Sequence, residues 1–266
     1  MAQGKLYEKR LAESEALFSF EQSLYRHAAE DAKCAEGAKH AAERDAASPK
    51  VYLVAGIDEV GRGALAGPVT AAAVVLGADW LPEFAPGLRD SKKLTAKRRA
   101  ELAGQLEASA LAHSVAHVDA HFIDDYGIMP ALHRAMLQAV EGLDLAGAAS
   151  AVGGGAGSGA AGAGAGPAGA GLDKILIDGN PVRLFEQEEA IVKGDAKVAC
   201  IAAASILAKY ARDTLMLAYD EDFPGYDFGS NKGYSSERHQ KAIRGKGLSP
   251  IHRKTFCQNF FQGSLF

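Results

Sequence analysis

Short apolar runs alternate along the chain with longer stretches in which apolar residues recur at helical spacing. Strands are predicted at 51–57, 69–76, 113–118, 174–178 and 190–192, because these runs are short and bounded by glycine or polar residues. Helices are predicted at 95–111, with Thr95 as the N-cap, and at 129–143, 196–222 and 236–244. Strands that alternate with helices predict an α/β fold.

Two segments do not follow this alternation. Residues 1–49 are rich in alanine and charge, which predicts a helical extension, solvated or loosely docked and dispensable for the rest. Residues 146–171 are almost entirely glycine and alanine, so we expect a flexible insertion. Because the insertion lies between a predicted helix and a predicted strand of one pattern, it interrupts a single domain over 50–266.

Composition excludes several classes of protein. The formal net charge of −4 argues against a protein that coats nucleic acid by charge alone, although it leaves room for a local basic groove. We find no apolar run suited to a membrane span or a signal segment. The three cysteines lie far apart, which favours a reducing compartment, and we expect a cytoplasmic protein.

Acidic residues follow three of the predicted strands. Asp58 and Glu59 end the first strand, Asp178 ends another, and Asp195 follows the last. The carboxyl ends of strands are where α/β proteins bind ligands, so these acids can form one cluster. Such a cluster suits Mg²⁺ or Mn²⁺ rather than zinc. Asp213, on the long predicted helix, is an alternative member of the cluster or a solvated helix acid.

Basic residues are concentrated at 89–99 and 229–254, although the chain is acidic as a whole. A basic run is usually a solvated surface, but two runs beside candidate metal ligands favour a polyanion held over a metal site. Gly61 and Gly63 permit a tight turn around Arg62, which can meet a phosphate. Tyr234 can stack on a sugar or base. Ser205 and Lys209 share a helix face, which indicates either ligand contact or a core helix with a polar edge.

The ordered set of motifs resembles the ribonuclease HII family over roughly 50–260. The matching motifs are Gly56-Ile57-Asp58-Glu59-Val60-Gly61-Arg62-Gly63, Asp90-Ser91-Lys92-Lys93-Leu94, Leu176-Ile177-Asp178-Gly179-Asn180, Lys193-Gly194-Asp195, Ala202-Ala203-Ala204-Ser205-Ile206-Leu207-Ala208-Lys209 with Arg212-Asp213, Lys232-Gly233-Tyr234, and His252-Arg253-Lys254-Thr255-Phe256. Each motif alone is weak, but seven in the family's order are specific. We find no counterpart in the family pattern for 1–49 or 146–171.

The resemblance implies an RNase H-like fold, with a mixed sheet flanked by helices and a helical C-terminal part. It implies hydrolysis of the RNA strand of RNA–DNA hybrids and incision of duplex DNA 5′ of a single ribonucleotide, as in ribonucleotide excision repair. The products would carry a 3′-hydroxyl and a 5′-phosphate. We expect a monomer that acts on these two substrates.

The resemblance also assigns roles to individual residues. It implies that Asp58, Glu59, Asp178 and Asp195 hold two Mg²⁺ or Mn²⁺ ions, that the Gly61-Arg62-Gly63 turn reads the 2′-hydroxyl, and that Tyr234 packs on the following deoxynucleotide. Further contacts with substrate are expected from Lys92, Ser205, Lys209 and Lys232. The alternatives are another metal nuclease of the same fold, such as a ribonuclease HIII-like enzyme or a junction resolvase, and a binding module without catalysis. The presence of all four acids counts against the binding module.

Overall fold

A mixed five-stranded sheet forms the centre of the computed structural model, which describes residues 2–37, 52–77, 80–146, 169 and 171–260. The strands lie in the order β3-β2-β1-β4-β5. The central pair β1 and β4 is parallel, as is β4 with β5, whereas β2 runs antiparallel to both β1 and β3. Their bounds are β1 Val54–Val60, β2 Val69–Val75, β3 Ala112–Val118, β4 Lys174–Asp178 and β5 Glu188–Ile191.

Helices flank this sheet and make up the C-terminal part, as predicted. Their bounds are α1 Ala2–Gly37, α2 Ala96–Ser109, α3 Ala120–Tyr126, α4 Ile128–Glu141, α5 Ala199–Asp222, α6 Phe228–Asn231, α7 Glu237–Lys246 and α8 Lys254–Cys257. Thr95 caps α2 by accepting a hydrogen bond from the Arg98 amide, as predicted. The long helix begins three residues later than predicted, because Gly194–Ala196 form a 3-10 turn before it. No helix in the described ranges is long and apolar enough to cross a membrane.

The two faces of the sheet are covered by α4 and α5. Residues alternate between the faces along β1: Ala55 and Ile57 pack towards α4, whereas Val54 packs towards α5. Gly56 shares the α5 face, and a Cβ there would lie 2.3 Å from the carbonyl carbon of Cys200. The missing side chain therefore lets α5 approach the strand closely. Asp58, two residues further on, faces the same helix.

The N-terminal helix is docked through buried polar contacts as well as apolar ones. Leu17 and Phe18 are buried against the core. Ser14 Oγ accepts hydrogen bonds from the amides of Gly87 and Leu88, at 2.8 and 2.9 Å. The fully buried carboxylate of Glu21 accepts a 2.7 Å hydrogen bond from the Cys200 amide, in the first turn of α5. The prediction of a helix in this segment is confirmed. The prediction that this helix is solvated or loosely docked is wrong for the part up to Glu21.

Most of the predicted flexible insertion, 146–171, lies outside the described residues. Only Ala146, Gly169 and Gly171 belong to the described part. The chain on both sides is ordered into the core, since Leu143 and Leu172 are buried in the cluster beneath α4.

Candidate active site

Three of the four predicted acids meet at one edge of the sheet. Asp58 lies near the end of β1, Asp178 is the last residue of β4, and Asp195 lies in the 3-10 turn after β5. Because β1 and β4 are parallel neighbours, their carboxyl ends lie together. Each of the three side chains offers a carboxylate oxygen, and these oxygens lie within 4.8 Å of one another.

Glu59 borders this triad, whereas Asp213 does not belong to it. Burial raises the pKa of Glu59, and the charge of Asp178 raises it further, so the two carboxylates interact. Asp213 instead pairs with Arg99 at 3.1 Å and with Lys209 on its own helix. Of the two candidates that the sequence left open, Asp195 is the one placed with Asp58 and Asp178.

Burial and mutual repulsion disfavour negative charge on the triad. Burial raises the pKa of Asp58 to about 8; a hydrogen bond with Ser205 opposes the rise, and the charges of Glu59 and Asp178 add to it. Burial also raises the pKa of Asp195, again with help from Asp178. Carboxylates held this close are stabilised by a cation between them.

Short hydrogen bonds fix the orientation of two of the acids. Asp58 Oδ1 accepts from the Glu59 amide at 2.7 Å, and Asp178 Oδ1 accepts from the Gly194 amide at 2.6 Å. A set of carboxylate oxygens without a histidine or cysteine ligand suits a hard divalent cation such as Mg²⁺ or Mn²⁺. The residues present therefore fit the metals that the sequence predicts.

Two predicted substrate-binding residues lie at the acids. Ser205 Oγ lies 2.9 Å from Ser91 Oγ and hydrogen-bonds Asp58, so it links α5 to the cluster. Lys92 Nζ lies 3.8 Å from Asp195 Oδ2, on a side chain that is 76% exposed. Burial lowers the pKa of Lys92, but Asp195 and the neighbouring acids outweigh it, so the net pKa is raised. A charged amine at this place can meet both the acids and an incoming phosphate.

Two other predicted lysines point elsewhere. Lys209 donates to Asp213, and burial lowers its pKa. Lys232 Nζ donates to the Gly229 carbonyl oxygen. Neither amine is placed at the acids, so their predicted contact with substrate stays a prediction.

The turn after β1 presents an exposed arginine beside the acids. Gly61 has a φ of 88°, which favours glycine, and a Cβ there would lie 2.2 Å from Arg212 Nε. Its amide donates a 3.2 Å hydrogen bond to the Tyr234 hydroxyl. Arg62 and Gly63 are exposed. Tyr234, which is 38% exposed, therefore lies next to this turn.

Two buried arginines support the backbone of this turn and of the residues next to it, and neither was among the predicted site residues. Arg253 donates through all three guanidinium nitrogens to the carbonyl oxygens of Gly61, Arg62 and Gly67, at 2.8 to 3.0 Å. Arg212 donates likewise to the carbonyl oxygens of Ala66, Pro68 and Lys232, at 2.8 to 3.1 Å. Both side chains are fully buried. The only signal in the sequence is their place within the matching motifs.

A buried histidine pair extends this support to Tyr234. Since His252 Nδ1 accepts from the Ser249 amide at 2.9 Å, its Nε2 carries the proton and donates to His239 Nε2 at 3.0 Å. His239 Nδ1 then donates to the Tyr234 carbonyl oxygen at 2.9 Å. Burial lowers the pKa of both imidazoles, which keeps this neutral arrangement.

Known proteins resemble this chain over nearly all of the site and its scaffold. The family model described as ribonuclease HII matches residues 55–152 and 163–259, so its unmatched internal stretch, 153–162, is narrower than the predicted 146–171. A ribonuclease HII from Ruegeria sp. (strain TM1040) is 45% identical over 80% of this chain and 81% of its own length. One from Roseobacter denitrificans is 43% identical over 76% and 89%.

A solved structure agrees with these relatives. The chain described as part of a PCNA:RNase HII complex from Archaeoglobus fulgidus is 25% identical, with a TM-score of 0.59, over 80% of this chain and 98% of its own. The family model covers well over half of the chain, and the curated relatives match it at more than 40% identity. The chain belongs to the ribonuclease HII family.

Proposed function

We propose that the chain incises duplex DNA 5′ of a single ribonucleotide, besides hydrolysing the RNA strand of RNA–DNA hybrids, and that it uses two divalent metal ions. The products carry a 3′-hydroxyl and a 5′-phosphate. Family membership makes the chain a metal-dependent endoribonuclease that acts on RNA–DNA hybrids. The observation that carries the finer proposal is the acid triad, with oxygens within 4.8 Å, beside a Gly-Arg-Gly turn whose Arg62 and Gly63 are exposed.

The acids are suited to hold the metals. Asp58, Asp178 and Asp195 supply convergent oxygens, and Glu59 supplies a fourth carboxylate at the edge. Metal ions held by these carboxylates would supply an activated water and would stabilise the leaving 3′-oxygen of an in-line displacement. The chain contributes no covalent nucleophile in this proposal. Mg²⁺ and Mn²⁺ both fit such a set of oxygens.

Backbone groups of the turn are suited to recognise the ribose. The 2′-hydroxyl is both a donor and an acceptor, and it distinguishes RNA from DNA at a given position. Recognising this hydroxyl requires backbone groups in a fixed arrangement. Arg253 donates two hydrogen bonds to carbonyl oxygens of the turn itself, and the other four from Arg253 and Arg212 go to the backbone next to it. The exposed Arg62 guanidinium is placed to meet a neighbouring phosphate through two donors.

Tyr234 is suited to recognise the deoxynucleotide that follows the ribonucleotide. Its side chain is partly exposed, and the Arg212 guanidinium carbon lies 5.5 Å from the centroid of its ring. Its hydroxyl is held by the Gly61 amide, so the ring keeps a fixed distance from the turn. A flat ring in this position packs on a deoxyribose, which has no 2′-hydroxyl to obstruct it.

The remaining expectations also stay proposals. We propose a monomer that works in the reducing cytoplasm, in ribonucleotide excision repair. Cys200 and Cys257 are free, buried thiols, which suits a reducing compartment.

The test is cleavage of a DNA duplex that carries one ribonucleotide, with Mg²⁺, Mn²⁺ or a chelator. We expect a metal-dependent nick 5′ of the ribonucleotide, and no nick by Asp58→Asn. Asp222→Asn is the matched control, since it neutralises an exposed acid on α5 outside the site. Cleavage of long hybrids alone would favour a ribonuclease HIII-like specificity, whereas binding without a nick would favour a binding module. Near-normal cleavage by Asp58→Asn would refute the metal assignment.

A further inference from the structure

A basic cavity of about 140 Å³ lies between the N-terminal helix α1 and the segment that leads into α2. Lys9, Arg10 and Glu13 line it from α1, and Arg89 and Arg98 line it from the other side. The volume is enough for several water molecules or one small polyatomic ion. Both walls are needed to form it, so it exists only when α1 is docked.

The charge in this basic cavity is positive. Of its four cations, Arg89 is held by both oxygens of Glu13 at 3.2 Å, and Arg98 by Glu101 at 3.0 Å. Two positive charges remain in excess over these two carboxylates. Among the described residues, the buried Nε atoms of Arg89 and Arg98 have no hydrogen-bond partner. The Arg89 and Arg98 side chains are 40% and 14% exposed, so an anion in the cavity meets the accessible parts of these guanidinium groups rather than the two buried Nε atoms.

The chemistry of the lining selects a phosphate. Arginine presents parallel N–H donors in a planar arrangement that matches two phosphate oxygens. Lys9, which is exposed, adds a mobile point charge at the rim. A carboxylate ligand would satisfy fewer donors, because it has two oxygens rather than three or four.

The basic cavity is close to the acids along the chain. The same segment continues into Ser91, which contacts Ser205, and Lys92, which reaches Asp195. Arg89 and Lys92 are three residues apart, so their Cα atoms lie within about 11 Å. One strand of DNA rises about 3.4 Å per nucleotide, so this upper limit on the separation of the two backbone positions corresponds to at most about three nucleotides.

We propose that the basic cavity binds a backbone phosphate of the duplex substrate, a few nucleotides from the cleaved bond. This inference rests on the proposed function, since it takes the duplex as the ligand. It makes α1 a substrate-binding element, although α1 lies outside the residues that the family model matches. The N-terminal helix would then bind substrate as well as pack against the core.

The test is the salt dependence of binding to a DNA duplex with one ribonucleotide, measured by fluorescence anisotropy with chelator present. We compare Lys9→Gln with Lys5→Gln, which removes the same charge from an exposed position on the same helix, outside the cavity lining. Between about 50 and 200 mM salt, a lost phosphate contact reduces the slope of log K against log salt by about 0.9. We expect this reduction, and a several-fold weaker affinity at the lowest salt, for Lys9→Gln only.

Equal slopes for the two variants would overturn the inference. If Lys9→Gln leaves the slope unchanged but abolishes thermal stabilisation by inorganic phosphate, the cavity takes a free phosphate compound, and the duplex assignment is wrong. The proposed function fails separately, when the parent chain does not nick the same duplex with Mg²⁺ or Mn²⁺. The slope difference is a binding measurement that does not require cleavage, so it tests the cavity whether or not the parent chain nicks the duplex.

Discussion

Replacing Asp58 with asparagine should stabilise the metal-free protein while it abolishes cleavage. Asp58 is 6% exposed, and burial with two neighbouring acids raises its pKa to about 8. Asparagine has nearly the same volume and keeps an oxygen that can accept the 2.7 Å hydrogen bond from the Glu59 amide. It removes only the charge that burial disfavours.

The size and sign of this effect follow from the pKa. The folded state holds the Asp58 proton up to about pH 8, whereas the unfolded chain loses it near 3.8. The folded state binds more protons between these values, so stability falls as the pH rises from about 4 to about 8. The pKa difference of about 4, at about 1.4 kcal/mol for each unit, amounts to as much as about 5 kcal/mol at pH 8. That is a large part of the 5–15 kcal/mol that stabilises a typical domain.

The measurement is chemical denaturation of both chains with chelator present, at pH 5 and pH 8. The free energy of unfolding of Asp58→Asn should exceed that of the parent, and the excess should be about 3 to 4 kcal/mol larger at pH 8 than at pH 5. Asp222→Asn, the exposed control on α5, should show no such dependence on pH. Added Mg²⁺ or Mn²⁺ should stabilise the parent more than Asp58→Asn. An excess that is absent, or equal at both pH values, would refute the reasoning.

Three further predictions concern other parts of the molecule. Tyr234→Ala should weaken cleavage at a single ribonucleotide more than cleavage of an all-RNA hybrid; an equal loss on both would contradict its role at the junction. Glu21→Ala should lower the free energy of unfolding by about 2 to 3 kcal/mol, because a buried charged hydrogen bond at the start of α5 is lost. An unchanged denaturation midpoint would contradict the docking. Deleting 153–162 should leave the nicking rate nearly intact, since loop length costs little closure entropy, and a collapse of activity would show that the segment is functional.

The scaffold of the site could be predicted from the sequence because its signals are local. The apolar runs of β1 and β4 end directly in Asp58 and Asp178, and parallel strands place such ends at one edge. The helix cap at Thr95 is also visible locally, as a hydroxyl residue before a periodic stretch. Local signals gave the bounds of the five strands and of α2, α4, α5 and α7 to within about three residues, although they missed the short helices α3, α6 and α8. They also predicted that Asp58, Asp178 and Asp195 lie together.

The support beneath the turn could not be predicted, because it depends on contacts between distant parts of the chain. Arg253 reaches Gly61 across 192 positions, and no pattern near either residue announces the contact. A buried arginine without a carboxylate partner is also rare, so the sequence alone predicts that Arg253 is an exposed basic residue. Docking of α1 was missed for the same reason, since Glu21 meets Cys200 across 179 positions.

Asp195 and Asp213 differ in how they are packed, which the local sequence pattern does not show. Both acids lie near basic residues, and a position after a predicted strand (Asp195) or on a predicted helix (Asp213) could each supply a ligand, so the sequence pattern does not separate them. On α5, Ser205 contacts Asp58, and Asp213 lies eight residues further along. At 1.5 Å per residue, that is about 12 Å along the helix axis, too far for a cluster whose oxygens lie within 4.8 Å. Arg99 and Lys209 form ion pairs with Asp213 and neutralise its charge. Because Arg99 lies on α2, this ion pair stabilises the packing of α5 against α2, and Asp213 does not add to the repulsion among the metal ligands.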